Sequence, residues 1–165
     1  MKVKISNLKD GVHTFDFVTS KMDCGLNDDP RFPDSVFVEI RLQKFQQSFI
    51  SDIHVKTRGS FQCDRCLADF FSEIENSERI TYTFDSELVD EAQSDIRLLN
   101  KNDFEIDFSK DVREVLYLAI PSKNICHEHC KGLCAGCGVN LNIEECVCPE
   151  PDIDPRWEAL KQLIN

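Results

Sequence analysis

Between Val36 and Leu42 every second residue is apolar. Val36, Val38, Ile40 and Leu42 share one face, and Glu39, Arg41 and Gln43 share the other with Phe37. A period of two sets one side of an extended strand against a core and the other in water. The alternation returns from Phe49 to Phe61, where Phe49, Ile53, Val55 and Phe61 interleave with Asp52, His54, Lys56 and Arg58. It returns again between Phe70 and Phe84, with Ile80, Tyr82 and Phe84 in phase. Three successive strands joined by turns predict an antiparallel meander. Lys2 to Phe17 adds one or two shorter strands around Asp10-Gly11.

The punctuation is equally regular. Glycine, prolines and aspartates between Cys24 and Pro33 mark a loop. A second irregular stretch is expected from Asp85 to Asp107, with eight acidic residues against Arg97 and Lys101. It reads as a solvated loop or, alternatively, as a docking surface for a basic partner. Ser109 is placed to cap a helix whose stripe is Val112, Val115, Leu116 and Ala119, ended by Pro121. A last helix begins with Asp154 as cap and Pro155 at its first position, and carries Trp157, Leu160 and Ile164 along one side.

Composition narrows the class. A chain of 165 residues, 41 % hydrophobic and 30 % charged, has the makings of a folded domain with its own core. Its net charge of −11 argues against loose, charge-driven association with nucleic acid, since phosphate backbones reward positive protein. No apolar run approaches the roughly 18 residues that span a bilayer. The opening segment MKVKISNLKDGVHTF has no signal-peptide core, so a cytoplasmic setting is expected.

Nine cysteines in such a chain point to metal or redox chemistry before disulfides. Cys24 stands alone as a spare thiol. The other eight are Cys63, Cys66, Cys126, Cys130, Cys134, Cys137, Cys146 and Cys148, the number two four-thiolate zinc sites require. The signal is strongest at Cys134-Ala-Gly-Cys137-Gly138, where Gly136 and Gly138 supply the backbone freedom of a knuckle. Cys146-Val-Cys148 can close that tetrahedron, with Cys126 and Cys130 as the competing pair. Cys63-Asp64-Arg65-Cys66 sits at a strand-to-strand turn rather than at the helix N-terminus a redox pair favours, and Cys126 and Cys130 could complete a metal site there. His127 and His129 are either further ligands or solvated loop residues. A cysteine-ligated iron–sulfur cluster is less suited than zinc, because few large apolar residues stand nearby to shield it.

Catalytic patterns are missing: there is no G-x-S-x-G, phosphate loop, H-E-x-x-H or dinucleotide-binding glycine run, and no enzyme activity is expected.

These pieces, in this order, resemble the YceD family, the large ribosomal RNA subunit accumulation proteins. The resemblance rests on CDRC at Cys63–Cys66, DFEIDFSKDVREVLYLAIP from Asp103 to Pro121, CKGLCAGCGVNLN from Cys130 to Asn142, CVC at Cys146–Cys148, and DPRWEALKQL near the end. It covers roughly the C-terminal two-thirds of the chain. It implies a bacterial cytosolic protein with plastid relatives, supporting synthesis, processing or stability of large-subunit ribosomal RNA. Some family members keep the C-x-x-C and lack most of the later cysteines, which implies a structural rather than catalytic metal.

The expected architecture is therefore α+β. An antiparallel β-rich domain with the C-x-x-C turn spans 1–121, and a cysteine-rich zinc-binding segment with the terminal helix spans 122–165. Each four-thiolate zinc centre would add about two negative charges, giving about −15 with both filled. Such a chain is expected to act through protein, on a basic ribosomal protein or large-subunit precursor. Direct RNA contact would need a local patch, for which Arg58, Arg65, Lys131 and Arg156 are candidates. The rival reading is a zinc-handling or thiol-redox protein using the clustered cysteines.

Overall fold

The computed structural model describes residues 1–27, 29–32, 35–89, 95–149 and 156. The chain forms two compact units, one of Met1–Phe61 and Asp69–Asn124, the other of Gln62–Ala68 and Ile125–Asn165.

Among its described residues the first unit contains seven strands and an α-helix: β1 (Lys2–Lys4), β2 (Gly11–Thr19), β3 (Val36–Phe45), β4 (Ser48–Gln62, its last residue belonging to the second unit), β5 (Asp69–Thr83), β6 (Ile96–Leu98), β7 (Glu105–Asp107) and α1 (Ser109–Leu118). A five-stranded sheet runs in the order β2-β3-β4-β5-β6, and β1 pairs with β7 in a second, two-stranded sheet. The alternation in β3 settles its orientation as expected. Val36, Val38, Ile40 and Leu42 are buried while Phe37, Glu39, Arg41 and Gln43 face solvent. β4 inserts Phe49, Ile53, Val55 and Phe61 into the core, together with Ser51 and Thr57. Those two hydroxyls donate to the carbonyls of Ile80 and Ser35, both at 2.9 Å, so burial does not orphan them.

Three expectations need correction. The sheet is mixed, because β6 joins β5 in parallel. The stretch from Asp85 to Asp107 is not wholly irregular either: it supplies β6, β7 and a 3-10 turn at Ser86–Leu88. Three-residue strands are too short for a period of two to register, and Ile106 is the one buried side chain in β7. Part of its acidic charge is engaged. Glu105 pairs with Lys2 across the β1–β7 ladder at 2.6 Å, and Asp107 with the Met1 ammonium at 3.2 Å.

The helix lies where the stripe placed it, burying Val112, Val115 and Leu116. Ser109, however, is its first helical residue and not its cap. Phe108 holds the cap position, and Asp107 Oδ1 accepts from the Ser109 backbone N–H at 3.0 Å. One polar group enters the helix's buried side. Asp111 accepts from Tyr82 Oη at 2.6 Å and from Arg97 Nε at 3.2 Å, while Arg97 also reaches Glu114 at 2.9 Å. Burial, followed by the Asp111 charge, pushes the Tyr82 hydroxyl far up, keeping it a neutral donor. α1 is the α-helix among the described residues; the helix expected from Asp154, with Trp157, Leu160 and Ile164, lies outside them. No helix among the described residues is long and apolar enough to cross a membrane.

Candidate metal centres

The second unit contains eight of the nine cysteines. Cys24 belongs to the first unit, where it is buried and its thiol is pushed up by that burial.

The turn between β4 and β5 makes the first knuckle. Cys63 N–H donates to the Ala68 carbonyl and Leu67 N–H to the Cys63 carbonyl, both at 2.9 Å. Closing it puts Leu67 at φ 59, a left-handed conformation that a branched aliphatic residue rarely adopts. A second turn, closed by Cys130 N–H on the His127 carbonyl at 3.1 Å, presents Cys126 and Cys130. Arg65 ties the turns together: its guanidinium donates to the Cys130 carbonyl at 2.8 Å, and its own carbonyl accepts from Leu133 N–H at 2.9 Å. Gly132 (φ 80) is needed there, since a Cβ would meet the Arg65 carbonyl oxygen at 3.1 Å.

These contacts gather Cys63, Cys66, Cys126 and Cys130, whose sulfurs all lie within 4.8 Å of one another. Cys63–Cys130 measures 3.8 Å and Cys66–Cys126 3.7 Å. Four sulfurs at about 2.3 Å from a central ion stand about 3.8 Å apart along each tetrahedral edge, whereas a disulfide would need about 2.05 Å. The observed spacing is the former. Three of the four cysteines are buried, and Cys126 is half-buried.

Downstream, Cys134, Cys137, Cys146 and Cys148 form a second set, again with all sulfurs within 4.8 Å. Cys137–Cys146 is 3.7 Å and Cys134–Cys146 is 3.1 Å. The two glycines of this knuckle serve different needs. Gly138 sits at φ 75 with open space around it, so its requirement is conformational. Gly136 is a matter of room, because a Cβ there would approach Cys148 Sγ to 3.0 Å. A short ladder joins the segments on either side: Cys134 N–H to the Val139 carbonyl at 2.8 Å, a bridge between Leu133 and Asn140, and Leu141 N–H to the Gly132 carbonyl at 3.0 Å. Unlike the first set, this one is open: Cys134 is half-buried and the other three are exposed.

Backbone donors prepare one sulfur in each set. Burial alone would raise the Cys63 thiol, but N–H groups of Cys126, Cys66 and Arg65 outweigh it and bring the value to about 6. At Cys134 the N–H of Cys137, the Cys146 side chain and the N–H of Gly136 do the same, also to about 6. Cys66, Cys126, Cys146 and Cys148 are pushed up instead. Cys126 is pushed up to about 12 by burial and by Cys66 and Cys130, and Cys148 up to about 12 by Cys137 and Cys146. A cation among the sulfurs reverses that penalty by making every thiolate favourable. Either set can therefore hold a metal ion, and no third such group occurs among the described residues.

Of the sequence alternatives, the structure joins Cys126 and Cys130 to the C-x-x-C and leaves Cys134, Cys137, Cys146 and Cys148 together. His127 and His129 are exposed and belong to neither set. Arg58 stands 4.6 Å from the Phe71 ring on the first unit's sheet, while Arg65 is spent on the Cys130 carbonyl. Sequence reasoning missed Asn142, whose amide points at Cys130; an asparagine in a loop carries no signal of that kind.

Two four-cysteine sets, one closed and one open, each able to hold a metal ion, define a β-rich protein with two candidate metal centres. The profile of the family described as large ribosomal RNA subunit accumulation protein YceD matches residues 51–164, which include all eight of these cysteines. The chain belongs to the YceD family. It is 41 % identical over 59 residues to the large ribosomal RNA subunit accumulation protein YCED homolog 1, chloroplastic, of Arabidopsis thaliana, covering 36 % of this chain and 18 % of that protein. The protein of the same name in Zea mays is 47 % identical over 47 residues, 28 % of this chain and 16 % of its own length. An uncharacterized protein of Mycobacterium tuberculosis is 27 % identical over 128 residues, 78 % of this chain and 61 % of the relative. The chain thus spans less than a fifth of the plant relatives and under two-thirds of the mycobacterial one. No solved structure matches it significantly.

Proposed function

We propose that this protein is a non-enzymatic cytoplasmic factor supporting the accumulation of large-subunit ribosomal RNA, and that it acts by binding a basic ribosomal protein or an assembly intermediate. Family membership carries the first part of that reading. The net charge of −11 supports the second, since a strongly acidic protein is repelled by bare phosphate backbone and attracted to basic protein. Contact with RNA is then indirect.

Zinc is the metal proposed for both sets. Four cysteines at tetrahedral spacing suit it, and Ile143 and Val147, 78 % and 93 % exposed, leave the second set without the apolar cover an iron–sulfur cluster prefers. Cys63, Cys66, Cys126 and Cys130 would hold one ion, and Cys134, Cys137, Cys146 and Cys148 the other. Zinc bound there supplies a cross-link in place of a hydrophobic core that this cysteine-rich segment is too small to build.

Affinity capture of the tagged protein from growing cells, with and without ribonuclease, tests the proposal. Large-subunit precursors or basic ribosomal proteins should be enriched over mature subunits, and the ribosomal-protein contact should survive ribonuclease. Capture that vanishes after ribonuclease would overturn the protein-first route. Absence of every ribosomal component, even after cross-linking, would overturn the assembly role.

A further inference from the structure

The five-stranded sheet has two very different edges. One is β6, three residues long; the other is β2, nine residues long. Exposed edges template the addition of further strands, and folded proteins blunt them with short strands, lysines, prolines or bulges. Brevity protects β6. β2 has none of these devices. Its sequence GVHTFDFVT contains no lysine, arginine or proline, and its register with β3 runs unbroken from Gly11↔Lys44 to Thr19↔Val36. Among the described residues, no backbone hydrogen bond reaches β2 other than those of that ladder.

The exposed side chains add to the case. Val12 and Val18, 49 % and 70 % exposed, lie on the sheet's outer face in line with Gln43 and Phe37. On the inner face Phe15 and Phe17 pack against the core and remain half-buried.

The strand also complements itself. Folded back antiparallel about Phe15, it sets Val12 against Val18 twice, Phe15 against Phe15, His13 against Phe17, and Thr14 against Asp16. All nine residues then pair, apolar meets apolar on the outer face, and the strand's one carboxylate faces a hydroxyl rather than its own copy. Shifting the axis to Asp16 would bring the two carboxylates directly opposite. Because a shift of one residue in register inverts the faces, few other registers keep Phe15 and Phe17 on the core side.

We propose that β2 pairs antiparallel with β2 of a second copy of this chain, centred on Phe15, to join two five-stranded sheets into one of ten. Each copy carries −11, so long-range repulsion opposes the pairing and salt relieves it. Sedimentation velocity on the metal-loaded full chain between about 1 and 100 μM should show a shift from one-chain to two-chain mass, with severalfold tighter pairing in about 0.5 M salt than in about 0.05 M. Hydrogen exchange at Gly11–Thr19 should slow as the two-chain form builds up. Val18→Lys should weaken pairing at least tenfold. Leu98→Lys, on β6 at the opposite edge of the same sheet, should leave it unchanged. If Val18→Lys fails to fold, as judged by circular dichroism, Val12→Lys takes its place. One-chain mass throughout this range at both salt concentrations would overturn the proposal. So would a dimer that forms without protecting β2 or that tolerates lysine at both positions.

Discussion

The side-chain amide of Asn142 donates to Cys130 Sγ at 3.4 Å, while its Oδ1 accepts from the Lys131 N–H at 2.8 Å. Asn142 directly follows the short ladder between Gly132–Cys134 and Val139–Leu141, yet the sulfur it supports belongs to the first set. Donors outside the ligand shell of a metal site favour the thiolate and fix its direction, and losing one typically weakens metal binding about 10- to 100-fold. Asn142→Ala should therefore weaken the Cys63/Cys66/Cys126/Cys130 site by about that factor, read by competition with a chelator. The site of Cys134 and its partners should change less. Equal affinities in the variant and the parent would show that the amide contributes nothing to the sulfur.

The two sets differ in access, and loss of metal should show it. Three buried cysteines line the first set, whereas three exposed ones line the second. A chelating dye is expected to draw metal in two phases of similar amplitude, the faster from the exposed set. Cys148→Ser should remove the fast phase and spare the slow one. A single phase that Cys148→Ser halves in amplitude without changing its rate would contradict this order.

Acidification should weaken both sites in a way fixed by their unequal thiols. All four sulfurs must be deprotonated around a metal. Cys63 and Cys134, held at about 6, are already thiolates at neutral pH, whereas Cys126 and Cys148, at about 12, must each give up a proton on binding. Below pH about 6 each set has one more proton to release. Apparent affinity should fall with decreasing pH, and more steeply below that value than above it. In the metal-free chain, the depressed Cys63 and Cys134 stabilise the fold above the ordinary thiol value, and that contribution disappears as pH falls through about 6. The raised Cys126 and Cys148 act oppositely: their contribution is whole below the ordinary thiol value and is lost as pH rises from there through about 12. Metal titrations at several pH values, with melting curves of the apo chain, check both signs.

Asp111 anchors α1 from within. Replacing it with alanine removes the acceptor of Tyr82 Oη and of Arg97 Nε at a position only 4 % exposed. The expected cost is about 2–4 kcal/mol of stability, because a buried hydroxyl loses its acceptor and a partly buried guanidinium loses one of its anions. Tyr82→Phe leaves the carboxylate its arginine and should cost about 1 kcal/mol. Denaturant titration of the two variants separates the values.

Where the sequence was legible, a long repeat made it so. β3 and β4 run ten and fifteen residues with one face buried, and alternation over that length has one structural solution. α1 was equally plain from Val112, Val115 and Leu116. The turn between β3 and β4 was silent, because Gln46 takes φ 54 in a Gln-Gln pair where glycine or asparagine would have announced it. β6 was silent too: three residues in parallel with Thr81–Thr83 leave no local pattern. The cysteine sets were half legible. C-x-x-C spacing identifies each knuckle, but the joining of Cys63 to Cys130 is a long-range event that spacing cannot encode. Leu67 at φ 59 shows the reverse case, in which the fold imposes a conformation the residue type argues against.

Cys63 and Cys130 are 67 positions apart, and between them lie β5, β6, β7 and α1. On a ribosome the chain emerges from its N-terminus, so the C-x-x-C turn leaves the exit tunnel long before its partners exist. During that interval its two thiols can engage a metal only incompletely. Closure must wait until Cys130 has emerged, by which time every strand and α1 are already available to fold. A bond that closes so long a loop late in synthesis removes the open chain's freedom only once the rest is in place. A metal held by the first cysteine set would therefore close that set after the strands and α1 have been made, and starving a cell of metal should leave a chain whose sheet is formed and whose Cys63–Cys66 and Cys126–Cys130 turns are not cross-linked.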